Sequence, residues 1–243
     1  LSWTERSKTV VEADDDLHLM ASLWDTETGR VLPLDSGVTI ELRKRGELVS
    51  EELAYPMLSQ PMGLHYGSNY ALDGAGDDDA RIRVGGVSLH RTGGFADAFE
   101  SAATATIPFA YTGEDLESIS LGEPENAGDL DALAPMEMDG VPVGRAPTVD
   151  ALPGRHLGTE RAGDAVFEVF VADRDGRFGA DPYLYVSART PHNRFVLPMM
   201  GLSATLSRDA ETAFDGRLRR TLDPDLGYHY GASVPEVDSG DEL

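Results

Sequence analysis

Two thioethers and an imidazole stand close together in residues 55–69, YPMLSQPMGLHYGSN: Met57, Met62 and His65. Thioether sulfur is a soft donor and imidazole nitrogen a borderline one. The trio therefore suits copper or ferrous iron better than magnesium or calcium. Gly63 and Gly67 flank the histidine, a backbone arrangement that would aim its ring. Two further histidines, His18 and His90, lie in the same half of the chain. They belong to separate elements, so only the fold can bring them to His65. The candidate site is the set His18, Met57, His65 and His90, with Met62 as the rival thioether for Met57. Its ion would be copper and/or iron. The same residues also have an ordinary use, since methionines fill gaps in cores and a histidine can sit satisfied inside one.

Other candidates carry less. Met136 and Met138 form a short Met-x-Met run, while the neighbours Met199 and Met200 read as core. The acidic runs 14–16 and 77–79 hold oxygen donors for a hard cation, though such runs are more simply the solvated face of an acidic protein. His156 reads as a solvated linker histidine, His192 as a loop histidine, and His229 as one that holds a turn in shape. Gly85-Gly86 is followed by neither a lysine nor a helical pattern, so it is no phosphate loop. No serine or aspartate sits in a recognisable nucleophile elbow. The expectation is a binding protein and not an enzyme.

Composition narrows the partners. The formal net charge is −23, from 25 Asp and 18 Glu against 18 Arg and 2 Lys. A phosphate backbone needs a Lys/Arg footprint, so nucleic acid is excluded as a partner, and so is an anionic membrane surface. Scarce lysine and abundant aspartate resemble the proteins of salt-loving microbes. At molar salt the Debye length falls to ~3 Å, and a self-repelling surface is tolerated. The chain has no cysteine, which excludes disulfides, a thiolate nucleophile and cysteine-ligated zinc or blue copper. No run of 18 apolar residues is present. The first residue is Leu1, so the expectation is a processed chain whose export signal or lipid anchor lies upstream.

The elements that must position these residues read as short strands. In residues 17–24, Leu17, Leu19, Ala21 and Leu23 alternate with His18 and Met20. Residues 37–43, 46–54, 65–72 and 80–90 continue the pattern, the last broken at Gly85-Gly86, a place for close backbone approach. Residues 103–111 form another strand, which Pro108 pushes toward a sheet edge. Many short strands with turn signals between them predict an antiparallel sandwich over residues 1–112. Residues 113–161 read as an acidic Gly/Pro-rich linker, and strand patterns return over 162–243.

That last region repeats the first. Gly63-Leu64-His65-Tyr66-Gly67 recurs as Gly227-Tyr228-His229-Tyr230-Gly231, and Val31-Leu32-Pro33 recurs as Val196-Leu197-Pro198. Val38, Ile40 and Leu42 match Leu202, Ala204 and Leu206. Matches at nearly one offset predict two related modules in tandem. The second copy is degenerate: Tyr185 stands opposite His18, and no methionine closely precedes His229.

Four pieces carry a family resemblance: HLMASL around His18, the dipeptide Pro56-Met57, MGLHYGSN at 62–69 and LHRTG at 89–93. Through them, residues 17–111 resemble the periplasmic ferrous-iron transport proteins of the nineteen-kilodalton group and the related spirochaete surface metal-binding lipoprotein. The resemblance implies an immunoglobulin-like sandwich, a homodimer, an extracytoplasmic location beside a membrane iron permease, and a copper or iron site on His18, Met57, His65 and His90. The gap from Met57 to His65 is about one residue longer than the family pattern, which keeps Met62 in play. A structural or adhesive surface module without metal is the alternative.

Overall fold

A computed structural model describes residues 15–34, 37–114, 122–123, 125–127, 129, 132–173 and 176–243. The Asp14 end of the first acidic run lies outside these residues. Strands dominate, and every strand pairing except one short parallel pair is antiparallel, so the fold is all-β and of the sandwich type. The chain divides into two compact units that are interleaved along the sequence. One comprises Leu1–Leu23, Leu34–Ser88 and Phe99–Val141; the other comprises Trp24–Pro33, Leu89–Ala98 and Pro142–Leu243.

The first unit contains β1 (Leu17–Ala21), β2 (Val38–Lys44), β3 (Glu47–Ser59), β4 (Gly63–Tyr70), β5 (Gly76–Val84) and β7 (Ala103–Tyr111), in the spatial order β1-β4-β3-β2-β5-β7. The 13-residue β3 is the organising strand. Its first half pairs with β2, from Val38↔Ala54 onward, and its second half pairs with β4, from Tyr55↔Gly67 to Ser59↔Gly63. Residues 55–69 thus form a hairpin. Val38, Ile40 and Leu42 alternate onto a fully buried face with Ala54, Leu64, Tyr66 and Tyr70. Burying each of those aliphatic side chains is worth roughly 1.5–3 kcal/mol. Pro108 does lie on an edge, since β7 ends the sheet. Gly86 is the expected close approach: a side chain there would run into the Glu100 carbonyl.

The second unit contains β6 (His90–Arg91), β8 (Arg155–Ala162), β9 (Ala165–Ala172), β10 (Tyr183–Arg189), β11 (Leu202–Arg208), β12 (Glu211–Asp223) and β13 (Gly227–Ser233). Its order is β11-β12-β13-β10-β9-β8, with β6 paired parallel to β12. The sub-order β10-β13-β12-β11 reproduces β1-β4-β3-β2, with the 13-residue β12 as the counterpart of β3. The extra strands differ: β5 and β7 extend the first sheet beyond β2, whereas β9 and β8 extend the second beyond β10. Part of the expected linker is therefore strand. β8 escaped the sequence reading because it is an exposed, charged edge. In β12, charged residues such as Asp215, Arg217, Arg219 and Arg220 interrupt the apolar pattern.

Candidate metal centre

Register decides which side chains share a face. In β4, the residues His65, Gly67 and Asn69 point to one side. Met57 of β3 lies directly opposite His65, and Tyr55 opposite Gly67. On the other flank His18 of β1 lies opposite Asn69, and Met20 opposite Gly67. One sheet face of the first unit therefore carries two imidazoles and two thioethers around a glycine. Met62, the rival thioether, sits in the hairpin turn, where its backbone N–H donates to Ser59 Oγ.

Both rings are fixed in the same tautomer. His65 Nδ1 lies 3.1 Å from the carbonyl oxygen of Gly63, which can only accept, so Nδ1 carries the proton. Gly63 reaches this position with φ +67°, a conformation that favours glycine. His18 Nδ1 lies 2.7 Å from Asn69 Oδ1. The orientation of that amide follows from its other end, because Asn69 Nδ2 donates to Asp15 Oδ2 at 3.1 Å. The lone pair of each imidazole is consequently on Nε2. His18 Nε2 hangs over Gly67, 2.7 Å from where a Cβ would stand. Among the described residues nothing hydrogen-bonds the Nε2 of His18 or of His65. A ring whose Nδ1–H is tied to an oxygen and whose Nε2 is unengaged has the form of a metal-binding histidine with its outer partner in place. His65 is buried, while His18 and Met20 are exposed, so the face is open on the β1 side.

The second unit has the same backbone device, closed. His229 Nδ1 lies 3.0 Å from the Gly227 carbonyl, and Gly227 has φ +69°. By register Thr221 stands where Met57 does, and Tyr183 where His18 does. The sequence alignment of Tyr185 with His18 is therefore corrected by two residues, and Tyr185 corresponds to Met20. Tyr183 covers Gly231 as His18 covers Gly67, but its hydroxyl lies 3.1 Å from His229 Nε2 and fills the lone pair. Aromatic packing seals the face: Phe178 stacks on Tyr183 with ring centroids 4.1 Å apart, and Leu152, Phe170, Tyr185 and Leu226 form a buried cluster. Burial holds the His229 pKa down at about 4 and pushes Tyr183 up to about 12.

His90 belongs to this second unit. It pairs with Thr221 of β12, and its Nδ1 lies 3.5 Å from Thr221 Oγ1. Burial foremost, then the nearby Arg219, lowers its pKa. Its neighbour Thr92 anchors the segment by donating to the buried Asp223 carboxylate at 2.8 Å. His18, Met57 and His65 lie in the first unit and His90 in the second. Met20 was not among the candidates, although the two-residue alternation with His18 placed it on that face. His156 is exposed, as expected, but it belongs to β8 and not to a linker, and it lies 2.9 Å from Glu168 Oε2 with its ring 4.7 Å from that of Phe170. Among the described residues no three His, Asp or Glu side chains group as metal ligands.

Residues 150–243 match a family model described as "Domain of unknown function (DUF7350)". The matched stretch spans β8 to β13. No curated protein and no solved structure matches the chain.

Proposed function

We propose that the first unit captures a soft transition-metal ion outside the cell and hands it to a membrane uptake system. The observation that carries this reading is the contrast between the two histidine faces. On one, two Nε2 lone pairs and two thioethers surround a glycine hollow; on the other, tyrosine and threonine hydroxyls close the same hollow. Two neutral imidazoles with Met57 and Met20 suit copper in its reduced state best, and ferrous iron second. Iron as cargo, an immunoglobulin-like ancestry, a homodimer and a permease partner come from the family resemblance. Neutral ligands on a half-open face hold an ion that can still leave, and oxidation would favour release because thioethers prefer the reduced metal.

A structural or adhesive module is the second reading. Exposed Leu53 and Tyr55 on the same face of β3 favour it, as does the lack, among the described residues, of a group of three His, Asp or Glu side chains. Metal analysis separates the two. Full-length chain purified without chelator is loaded with copper(I) or ferrous iron, and bound metal per chain is measured for wild type, His65→Ala and His229→Ala. One metal that is lost in His65→Ala and kept in His229→Ala supports capture. No metal in any of the three makes the His-Tyr-Gly turn a folding device and leaves the structural reading.

A further inference from the structure

A second cation position lies in the first unit, away from the histidine face. The chain has two lysines, Lys8 and Lys44, against 18 arginines. Lys44 ends β2, and its ammonium donates to three successive main-chain carbonyls, Asp73 at 2.6 Å, Gly74 at 2.8 Å and Ala75 at 3.1 Å. Those carbonyls belong to the tight turn between β4 and β5. Gly74 with φ +67° and Gly76 with φ +136° shape that turn, and a side chain at position 76 would meet the Lys44 Cε at 3.6 Å. An ammonium has three hydrogens, so the carbonyls use all of them. The Asp78 carboxylate faces the same nitrogen from 3.9 Å, its side chain wholly buried. Neither of its oxygens has a hydrogen-bond partner.

This pattern is costly for an ordinary ion pair. A buried carboxylate keeps its charge cheaply only when its lone pairs are filled. Here three oxygen dipoles and an unfilled carboxylate converge on one compact positive centre. A planar guanidinium fits that position poorly, which accounts for a lysine here in a chain that favours arginine. The donors are all hard oxygens, and three of the four groups are main-chain carbonyls. Asp73, Asp77 and Asp79 add negative charge along the same stretch.

We propose that the turn at residues 73–78 is a calcium site whose cation position Lys44 holds when the ion is absent. Calcium takes oxygen ligands at about 2.3–2.6 Å in a flexible shell. The carbonyls of residues 73–75 and both oxygens of Asp78 would supply them once the partly exposed Lys44 side chain swings outward. The ammonium is then a built-in competitor that sets how much calcium is needed.

Calcium titration calorimetry on the full-length chain tests this, with wild type, Lys44→Met, Lys44→Gln and Asp78→Asn in chelator-treated buffer of moderate ionic strength. Lys44→Met keeps the apolar stem and empties the cage, so one calcium should bind about tenfold or more tighter than to wild type, because ligand charge and site geometry set calcium affinity. Asp78→Asn should lose the binding, and magnesium or potassium should not replace calcium. If either lysine variant unfolds in chelator, regaining its circular dichroism spectrum on calcium addition supports the site, and remaining unfolded in millimolar calcium overturns it. Folded lysine variants that bind no calcium, or undiminished binding in Asp78→Asn, reduce Lys44 and Asp78 to an ion pair and end the proposal.

Discussion

Asn69 gives the sharpest residue-level test, because it touches the ring and not the ion. It orients His18 through a 2.7 Å hydrogen bond and is itself tied to Asp15. Removing such an outer partner typically costs about 10–100-fold in metal affinity. Asn69→Ala should therefore weaken copper(I) binding by that factor, read by competition with a chelator of known affinity, while the thermal midpoint moves little. Met57→Leu conserves volume and should cost less than about 1.5 kcal/mol in stability. It should lower copper(I) affinity far more than ferrous iron affinity, because the sulfur is what favours copper. The buried His229 makes a prediction about pH. Its folded pKa is about 4, below the ordinary value of 6.5. Between those values the unfolded chain binds a proton that the folded chain does not, so stability is full above about pH 6.5 and falls as the pH drops toward 4. At 1.36 kcal/mol per unit, the loss is roughly 3 kcal/mol. Urea midpoints from pH 7 to pH 4 should show at least this slope, and His229→Gln should reduce it, leaving the part that comes from His90, whose pKa burial also lowers.

At the scale of elements, the two glycine hollows make a paired experiment. Gly231→Ala pushes a methyl group into the buried Tyr183 ring, which has nowhere to go. Overpacking of this kind costs about 1–3 kcal/mol, to be read as a drop in the urea midpoint. Gly67→Ala meets the end of an exposed histidine that can rotate away, so stability should hold while metal uptake falls. Equal destabilisation in both would mean that His18 is packed as a structural ring, and the binding face would lose its main support. The repeat that frames this comparison was legible from sequence because its pieces are physically coupled. Tyr66 Oη accepts from Leu34 N–H and donates to the Leu34 carbonyl, while Tyr230 Oη donates to the Leu197 carbonyl and accepts from Met200 N–H. The tyrosine of the motif thus pins the loop before the next strand in both copies, and both had to be kept together. Strand alternation likewise put His18 and Met20 on one face. What could not be read was pairing at a distance: nothing in residues 89–98 signals that His90 joins β12 and not the sheet of His65. Nor do thirteen mixed residues of β12 announce a strand whose first half pairs with β11 and whose second half pairs with β13.

At the scale of the whole molecule, charge sets the conditions under which the fold holds. A net charge of −23 on 243 residues stores repulsion that the few basic groups offset only locally. Arg208 bonds Asp241 at 2.8 Å and Asp238 at 3.0 Å, and Arg43 and Arg83 gather round the buried Glu41 at 2.9 Å each. Salt weakens exposed attractive pairs and weakens repulsion alike, so the surplus sign decides the direction. Acidic residues outnumber Lys and Arg by 43 to 20, so the net long-range electrostatic force is repulsive. The thermal midpoint should therefore rise steadily as sodium chloride goes from 0.1 to 2 M. Much of the gain should come early, since the Debye length has already shortened to about 3 Å at 1 M. Preferential exclusion could also raise the midpoint, so sucrose at matched osmolality is the control. Sucrose alone reproducing the rise would assign it to exclusion, whereas a rise confined to the salts would assign it to screening. A midpoint that fell with salt would mean that the local ion pairs outweigh the repulsion. The acidic surface would then be a stabilising network in dilute buffer, and the likeness to proteins of salt-loving microbes would be compositional only.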